Sequence, residues 1–331
     1  MNNYTFDNVF TFKNLLDAYW KCTKGVKWKA SVQTYMIKAP YKVYLLYERL
    51  HKGKYRQKPF YTFSKNERGK IREIMACTFE DRIVQKCLCE NFLIPAVSKS
   101  FIYDNSASQK GRGVHFAIRR CKTHFFNALK LWGQDGYILQ FDFHHYFASI
   151  DHEIAKQKIY EFTQDEKLRR LVAHLIDCFG GVGIGLGSQM SQTIALLFPN
   201  DLDHTMKEKL HCRGYGRYMD DGYAFFDTKA ECENALKIIR EWCAKNKMPL
   251  NEHKTIITKL NRGFVFLKKY FRVGRNGEIV VSLYKKNITR MRRKLLSLKR
   301  KLGIITLVNC YINSYAKFNA YYQLKRLRRI I

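Results

Sequence analysis

Two aspartates stand side by side, Asp220 and Asp221, within Tyr215-Gly-Arg-Tyr-Met-Asp-Asp-Gly-Tyr-Ala-Phe-Phe226. On a strand their side chains would face opposite sides, whereas at a tight turn they can converge. Neighbouring carboxylates repel each other, and in a strongly basic chain a divalent cation is the counter-charge that keeps such a pair together. Oxygen-only ligands with open positions suit Mg²⁺. Asp142, at the end of the strand pattern in Gly136-Tyr-Ile-Leu-Gln-Phe-Asp-Phe143, can supply a third carboxylate. The chemistry such a trio serves is divalent-metal catalysis. An Asp-Asp pair alone is most often a solvated turn, so the weight of this signal comes from its setting.

The elements that must hold these residues are legible along the chain. Gly136–Phe143 is a short buried strand that delivers Asp142, and a helix follows from His152. Tyr215–Phe226 reads as strand, turn and strand with the paired carboxylates at the turn. Downstream come a helix over Thr228–Lys247, an extended Phe264–Phe271, a Gly274-Arg-Asn-Gly277 turn, and two basic helices, Lys285–Lys301 and Val308–Arg329. Upstream, the spacing of aromatics and lysines from Phe10 to Leu50 predicts amphipathic helices, Tyr55–Met75 a hairpin around Asn66-Glu-Arg-Gly69, and Phe79–Pro95 another helix.

Composition narrows the function. The 331 residues carry 60 Lys plus Arg against 28 Asp plus Glu, a net charge of +32. With 46% hydrophobic and 15% aromatic residues the chain can bury a large core, which excludes general disorder. So large a charge costs folding energy by self-repulsion, and a polyanion is the usual compensation. Nucleic acid therefore leads over an anionic membrane. No apolar run approaches the roughly 20 residues needed to span a bilayer, and the first 15 residues lack a secretory pattern, so a cytoplasmic protein without a membrane role is expected. Ten cysteines are scattered without a CxxC pair and read as reduced, mostly core-filling thiols.

The setting of the carboxylates resembles the palm of a reverse transcriptase. Tyr218-Met-Asp-Asp221 follows, 78 residues after its aspartate, Phe141-Asp-Phe-His-His-Tyr-Phe-Ala-Ser-Ile-Asp151. The resemblance implies an α+β right-hand polymerase with fingers, palm and thumb, a ferredoxin-like antiparallel palm sheet and a helical thumb. Its expected divisions are an N-terminal helical segment (1–60), fingers with palm-packing helices (61–136), palm (137–275) and a basic helical thumb (276–331), with no RNase H or endonuclease domain. It also implies that Asp142, Asp220 and Asp221 hold two Mg²⁺ ions. Phe147 would stack under the incoming sugar and exclude a ribose 2′-OH, Arg72 would contact the triphosphate, and Lys254 would lie near the leaving phosphates. Phe264-Val-Phe-Leu-Lys268 resembles the primer-grip hairpin. Lys110 and Arg112, in Lys110-Gly-Arg-Gly-Val-His115, and Arg292, Arg293, Lys299 and Arg300 of the thumb would bind nucleic acid.

The segment Leu186-Gly-Ser-Gln-Met-Ser-Gln192 is similar to the form found in diversity-generating retroelements, where most bacterial reverse transcriptases end the motif in Ser-Pro. Leu186, Gly187, Ser191 and Gln192 would then tune how tightly the nascent pair is checked, with Gln192 at the nucleotide. That resemblance implies a bacterial or phage enzyme that copies a structured template RNA into cDNA from dNTPs, with errors at template adenines, in company with a small basic accessory variability protein. Reverse transcriptases of phage-defence systems also depart from Ser-Pro and are the alternative within the class. A non-catalytic RNA-binding protein on a polymerase fold is the alternative outside it, against which the intact carboxylates argue.

Overall fold

The computed structural model describes residues 4–67 and 70–286, and beyond them 288–290, 292, 293, 296, 297 and 300. It divides into two compact units, Met1–Lys259 and Leu260–Ile331.

The first unit opens with a helical turn, Phe6–Val9, and three helices, α1 (Phe12–Thr23), α2 (Ala30–Met36) and α3 (Ala39–His51). Thr11 caps α1 by accepting from the Asn14 N–H at 3.1 Å. A two-stranded hairpin follows, β1 (Tyr61–Glu67) and β2 (Lys70–Ala76), in the place the turn signal predicts. The next helix, α4 (Phe79–Leu88), passes into a π-helical stretch, Cys89–Leu93, and a last turn, Ile94–Val97. Pro95 has no N–H to give to the preceding turn, and the π-helical stretch, a local departure from the α ladder, sits immediately before it.

The central sheet is built from β3 (Tyr137–Asp142), β4 (Gly216–Tyr218), β5 (Asp221–Phe226) and β6 (Ile256–Lys259), in the order β4-β5-β3-β6 and antiparallel throughout. Chain order β3, helices, β4, β5, helix, β6 across that sheet is the split βαβ, ferredoxin-like arrangement. The helices preceding β3 and between β3 and β4 are α5 (Val114–Trp132), α6 (His152–Tyr160), α7 (Glu166–Asp177) and α8 (Gln189–Leu197). Between β5 and β6 runs α9 (Lys229–Lys245), started by a capping box in which Thr228 and Glu231 satisfy each other's backbone N–H.

Both faces of the sheet are covered, so β5 reads as a nearly continuous apolar run. Tyr223 and Phe225 lie against His124 and Phe125 of α5, with the Phe125 and Phe225 rings stacked 5.9 Å apart. Ala224 and Phe226 belong to the main core together with Leu139, Phe141 and, from α9, Cys232, Ala235 and Ile239. Seven of the nine described cysteines are buried, as core filling predicts, and burial pushes their thiols up, Cys22 to about 11 and Cys87 to about 12. Among the described residues no helix is long and apolar enough to cross a membrane.

The second unit holds a three-stranded antiparallel sheet, β7 (Phe264–Phe266), β8 (Lys269–Val273) and β9 (Ile279–Leu283). The β7–β8 turn puts Leu267 and Lys268 both at positive φ, 46° and 66°, the two-residue hairpin turn whose twist suits its strands. Phe264 and Phe271 face each other across the pair with rings stacked at 5.0 Å. Gly274–Gly277 turns as predicted, closed by the Gly277 N–H on the Gly274 carbonyl. The described residues from Lys285 to Arg300 are helical, while the expected helix Val308–Arg329 lies outside the described residues.

Candidate active site

The three aspartates come together at one end of the central sheet. Asp142 ends β3 and Asp221 begins β5, and the two are direct partners in the antiparallel register. Tyr218 and Asp221 pair across β4 and β5, leaving Met219 and Asp220 as a two-residue turn. Met219 sits at φ 55°, in the left-handed region that a residue with a side chain occupies at a cost. The turn is tied to β3 as well, because the Phe143 N–H donates to the Asp220 carbonyl at 3.3 Å.

Register depends on a close approach across the sheet. Gly222 pairs with Phe141, and a Cβ on Gly222 would stand 2.1 Å from the Phe141 ring. Only glycine lets that ring come so close to the strand beside Asp142 and Asp221.

The electrostatics are those of crowded carboxylates. Burial, then Asp220, then the hydrogen bond and charge of Asp142 push the Asp221 carboxyl up to about 8, with Lys254 pulling the other way. Asp142, itself buried, accepts from Lys254 Nζ at 2.8 and 2.9 Å and from Asn251 Nδ2 at 3.0 Å. Asn251 also gives its backbone N–H to the Asp142 carbonyl at 2.8 Å, so the loop before β6 wraps the first aspartate. For Lys254, burial lowers the affinity for its proton, but the Asp142 carboxylate outweighs this and holds the ammonium above its usual value.

This donor set suits a hard divalent cation: three carboxylates whose burial and mutual repulsion raise the proton affinity of Asp221, and whose crowding a bound cation would relieve, at the mouth of a sheet in a chain of charge +32. Among the described residues no group of three or more His, Cys, Asp or Glu side chains converges as a ready-made metal cage. Mg²⁺ does not require one, since it is usually held by one or two carboxylates, waters and substrate phosphates.

The other sequence-predicted residues fall around this centre unevenly. Phe147 lies on the 3₁₀ turn Tyr146–Ser149, half-buried, and its carbonyl accepts from the Ile184 N–H at 2.8 Å. The glycine-rich segment thus begins against the Phe147 turn. It then docks on the hairpin, where Leu186 bridges Ile74 in parallel and its carbonyl accepts from the Met75 N–H at 3.0 Å. Arg72 is two residues from that bridge on β2. Gly187, at φ 121°, leaves no room for a side chain, since a Cβ would meet Ile74 at 2.9 Å. Ser191 is fully buried, its hydroxyl 2.8 Å from that of Ser188, the residue that caps α8. Gln192 is exposed, and its N–H donates to the Ser188 carbonyl at 3.3 Å.

Lys110 is exposed. Arg112 is engaged within the protein, donating to the carbonyls of Ile102 and Asn105 at 3.4 and 3.0 Å and lying over the Tyr103 and Phe116 rings. Arg292, Arg293 and Arg300 are exposed in the second unit, and Lys299 lies outside the described residues.

Sequence reasoning missed the support behind the turn. Arg217 of β4 is fully buried and forms a bidentate pair with Asp203, Nε to Oδ1 at 2.7 Å and Nη2 to Oδ2 at 2.6 Å. Its Nη1 donates to the Met219 carbonyl at 2.9 Å and its Nη2 to the Leu196 carbonyl at 3.0 Å. Tyr215 adds a hydroxyl donor to Asp203 at 2.6 Å. The strained residue of the turn is therefore held by a buried ion pair. An arginine inside an otherwise apolar strand pattern was the available signal, since arginine is almost never fully buried unless paired.

Comparison with known proteins agrees with this architecture. The family profile described as reverse transcriptase (RNA-dependent DNA polymerase) matches residues 63–272. Among solved structures the chain is similar to apo telomerase from Candida Tropicalis, with a TM-score of 0.50 and 11% sequence identity. The match covers 68% of this chain and 48% of that one, so it spans about half of the telomerase chain. At that identity the likeness concerns the fold. No curated protein matches.

Proposed function

Since the chain belongs to the reverse transcriptase (RNA-dependent DNA polymerase) family, we propose that it is an RNA-directed DNA polymerase that copies a template RNA into cDNA from dNTPs. The observation that carries the reading is the pairing of Asp142 with Asp221 across the sheet, with Asp220 in the adjoining turn. Asp142, Asp220 and Asp221 would hold two Mg²⁺ ions. When bound, these ions supply activation of the primer hydroxyl and neutralisation of the triphosphate. The chain's own residues do the rest. Lys254, with its side chain 61% exposed while touching Asp142, can follow negative charge as it builds on the departing phosphates. Arg72 supplies a cation for the triphosphate, and the ring of Phe147 fills the space a ribose 2′-OH would need. Replacing Asp220 and Asp221 together by Ala is expected to abolish Mg²⁺-dependent dNTP incorporation on RNA while RNA binding persists. Incorporation by that variant would overturn the site.

We propose further that the enzyme is of the diversity-generating retroelement type, working on a structured template RNA with a small basic accessory variability protein. Support comes from Leu186–Gln192 and its attachment to the hairpin that carries Arg72. Gln192 occupies the fourth position of α8, where its N–H closes the first helical bond to Ser188. A proline in this place would remove that bond and crowd the Ser188 carbonyl. Sequencing cDNA made on a defined RNA tests the reading: errors concentrated opposite template adenine are expected. Uniformly low error at all four bases, with a cognate accessory protein present, would favour the defence-type alternative.

A further inference from the structure

We infer that helices α1 to α3 carry an RNA-binding surface of their own, outside the family-matched residues 63–272, which takes a single-stranded stretch of the template strand. The inference rests on the reading of the chain as an enzyme that works on RNA.

Charge is the first argument. Residues 12–58 contain twelve Lys and Arg and only two acidic residues, Asp17 and Glu48, so this stretch is far more cationic than the chain as a whole. Lys13, Lys24, Lys27, Lys29 and Lys38 are all exposed. Beside α3 runs a groove of about 270 Å³ lined by Lys42, Arg49, Lys52 and Lys54 against Glu48 and Glu80. Four cations facing two carboxylates leave it positive.

The second argument is the aromatic array on the same helices. Tyr41, Tyr44 and Tyr47 recur at three-residue steps along α3, and Tyr41 is 60% exposed. Tyr44 stacks on Tyr47 at 6.5 Å, and Phe12 of α1 meets both edge-on at 6.4 Å. Trp28, between α1 and α2, is 74% exposed with Lys29 Nζ 5.5 Å from its ring centre. Tyr47 packs against the core, while Tyr41, Tyr44 and Trp28 stay exposed. A hydrophobic patch alone would suit many partners. Rings interleaved with lysines suit a chain that offers a π-face and a phosphate at every residue, which is single-stranded nucleic acid. Double-stranded RNA keeps its bases stacked away from such rings and is disfavoured.

The test uses the full chain and two RNA–DNA primer-templates that share a duplex and differ in the single-stranded template overhang, about four against about twenty nucleotides, spanning the usual site sizes. Wild-type protein is expected to bind the long overhang more tightly and with a steeper salt dependence. Tyr41→Ala/Tyr44→Ala should lose that advantage, by about tenfold or more, since each base–ring stack is worth roughly 1–3 kcal/mol. Lys13→Gln/Lys38→Gln, which alters no packed ring, should lower the log–log salt slope by about 1.4, or about 0.7 for each single-strand phosphate no longer neutralised. Melting temperatures of both variants confirm that they fold. An overhang advantage untouched by either variant overturns the surface. So does a loss of binding to phosphatidylserine vesicles, or to a protein partner, with RNA affinity intact. Extension of the short-overhang substrate by wild-type protein separately reports the polymerase reading, so failure there is distinguishable from failure of the surface.

Discussion

Replacing Arg217 by Met tests whether the buried ion pair behind the turn holds Asp220 and Asp221 in place. Both side chains of the Arg217–Asp203 pair are fully buried. The substitution removes four donations: two to Asp203, one to the Met219 carbonyl and one to the Leu196 carbonyl. Asp203 is left in the interior with the Tyr215 hydroxyl as its remaining donor among these groups. Breaking a buried pair by removing one partner costs about 3–5 kcal/mol. The freed carbonyls add to this in a way that overlaps with it. At roughly 2–4 °C per kcal/mol for a unit of this size, the melting temperature should fall by about 6–20 °C. The double variant Asp203→Leu/Arg217→Met no longer buries a lone charge and should recover most of that loss. It still lacks the donor to Met219, so the turn is free to relax and primer extension should remain down by about 100-fold, the usual consequence of an ångström of misplacement. Thermal melting and steady-state extension across a Mg²⁺ titration are the assays. A single variant that melts within about 2 °C of wild type, or a double variant that recovers stability and activity together, would refute the positioning role.

Gly222→Ala should cost about 1–3 kcal/mol and most of the activity, because the new Cβ must displace the Phe141 ring beside Asp142; unchanged melting and extension would mean the strand shifts freely. With Asp221 raised from its ordinary 3.8 to about 8, the folded, metal-free chain keeps a proton that the unfolded chain releases above pH 4. Its stability contribution is therefore full below about pH 4 and is lost as pH rises to about 8, a slope that melting in EDTA should show for wild type, that Asp221→Asn should flatten, and that added Mg²⁺ should reduce. Phe147→Ala should raise ribonucleotide incorporation relative to dNTPs; a ratio equal to wild type would make Phe147 packing alone. Charge reversal at Arg292, Arg293 and Arg300, all exposed, should weaken RNA binding and flatten its salt slope, measured by titration at several salt concentrations.

What was legible in the sequence is what neighbouring residues decide among themselves. The strand that ends at Asp142, the turn that carries Asp220 and the helix opened by Thr228 follow from apolar runs, turn residues and caps, and each is found where its local pattern predicts. The acidic residues stand out because they are rare in a chain this basic. Tertiary structure alone decided who meets whom. A strand's alternation says which residues share a face but not which strand lies beside it, so the pairing of Asp142 with Asp221 awaited the packing of Phe141 over Gly222. Lys254 reaches Asp142 across 112 residues of chain, and Leu186 reaches Ile74 across as many; no spacing in the sequence encodes either closure. Arg112 is expected at nucleic acid from the resemblance of its segment, and only the fold shows its guanidinium on the carbonyls of Ile102 and Asn105. The Arg217–Asp203 pair is not legible in the sequence for the complementary reason: a buried ion pair exists only once the surrounding core has excluded water, and that exclusion is a property of the assembled fold.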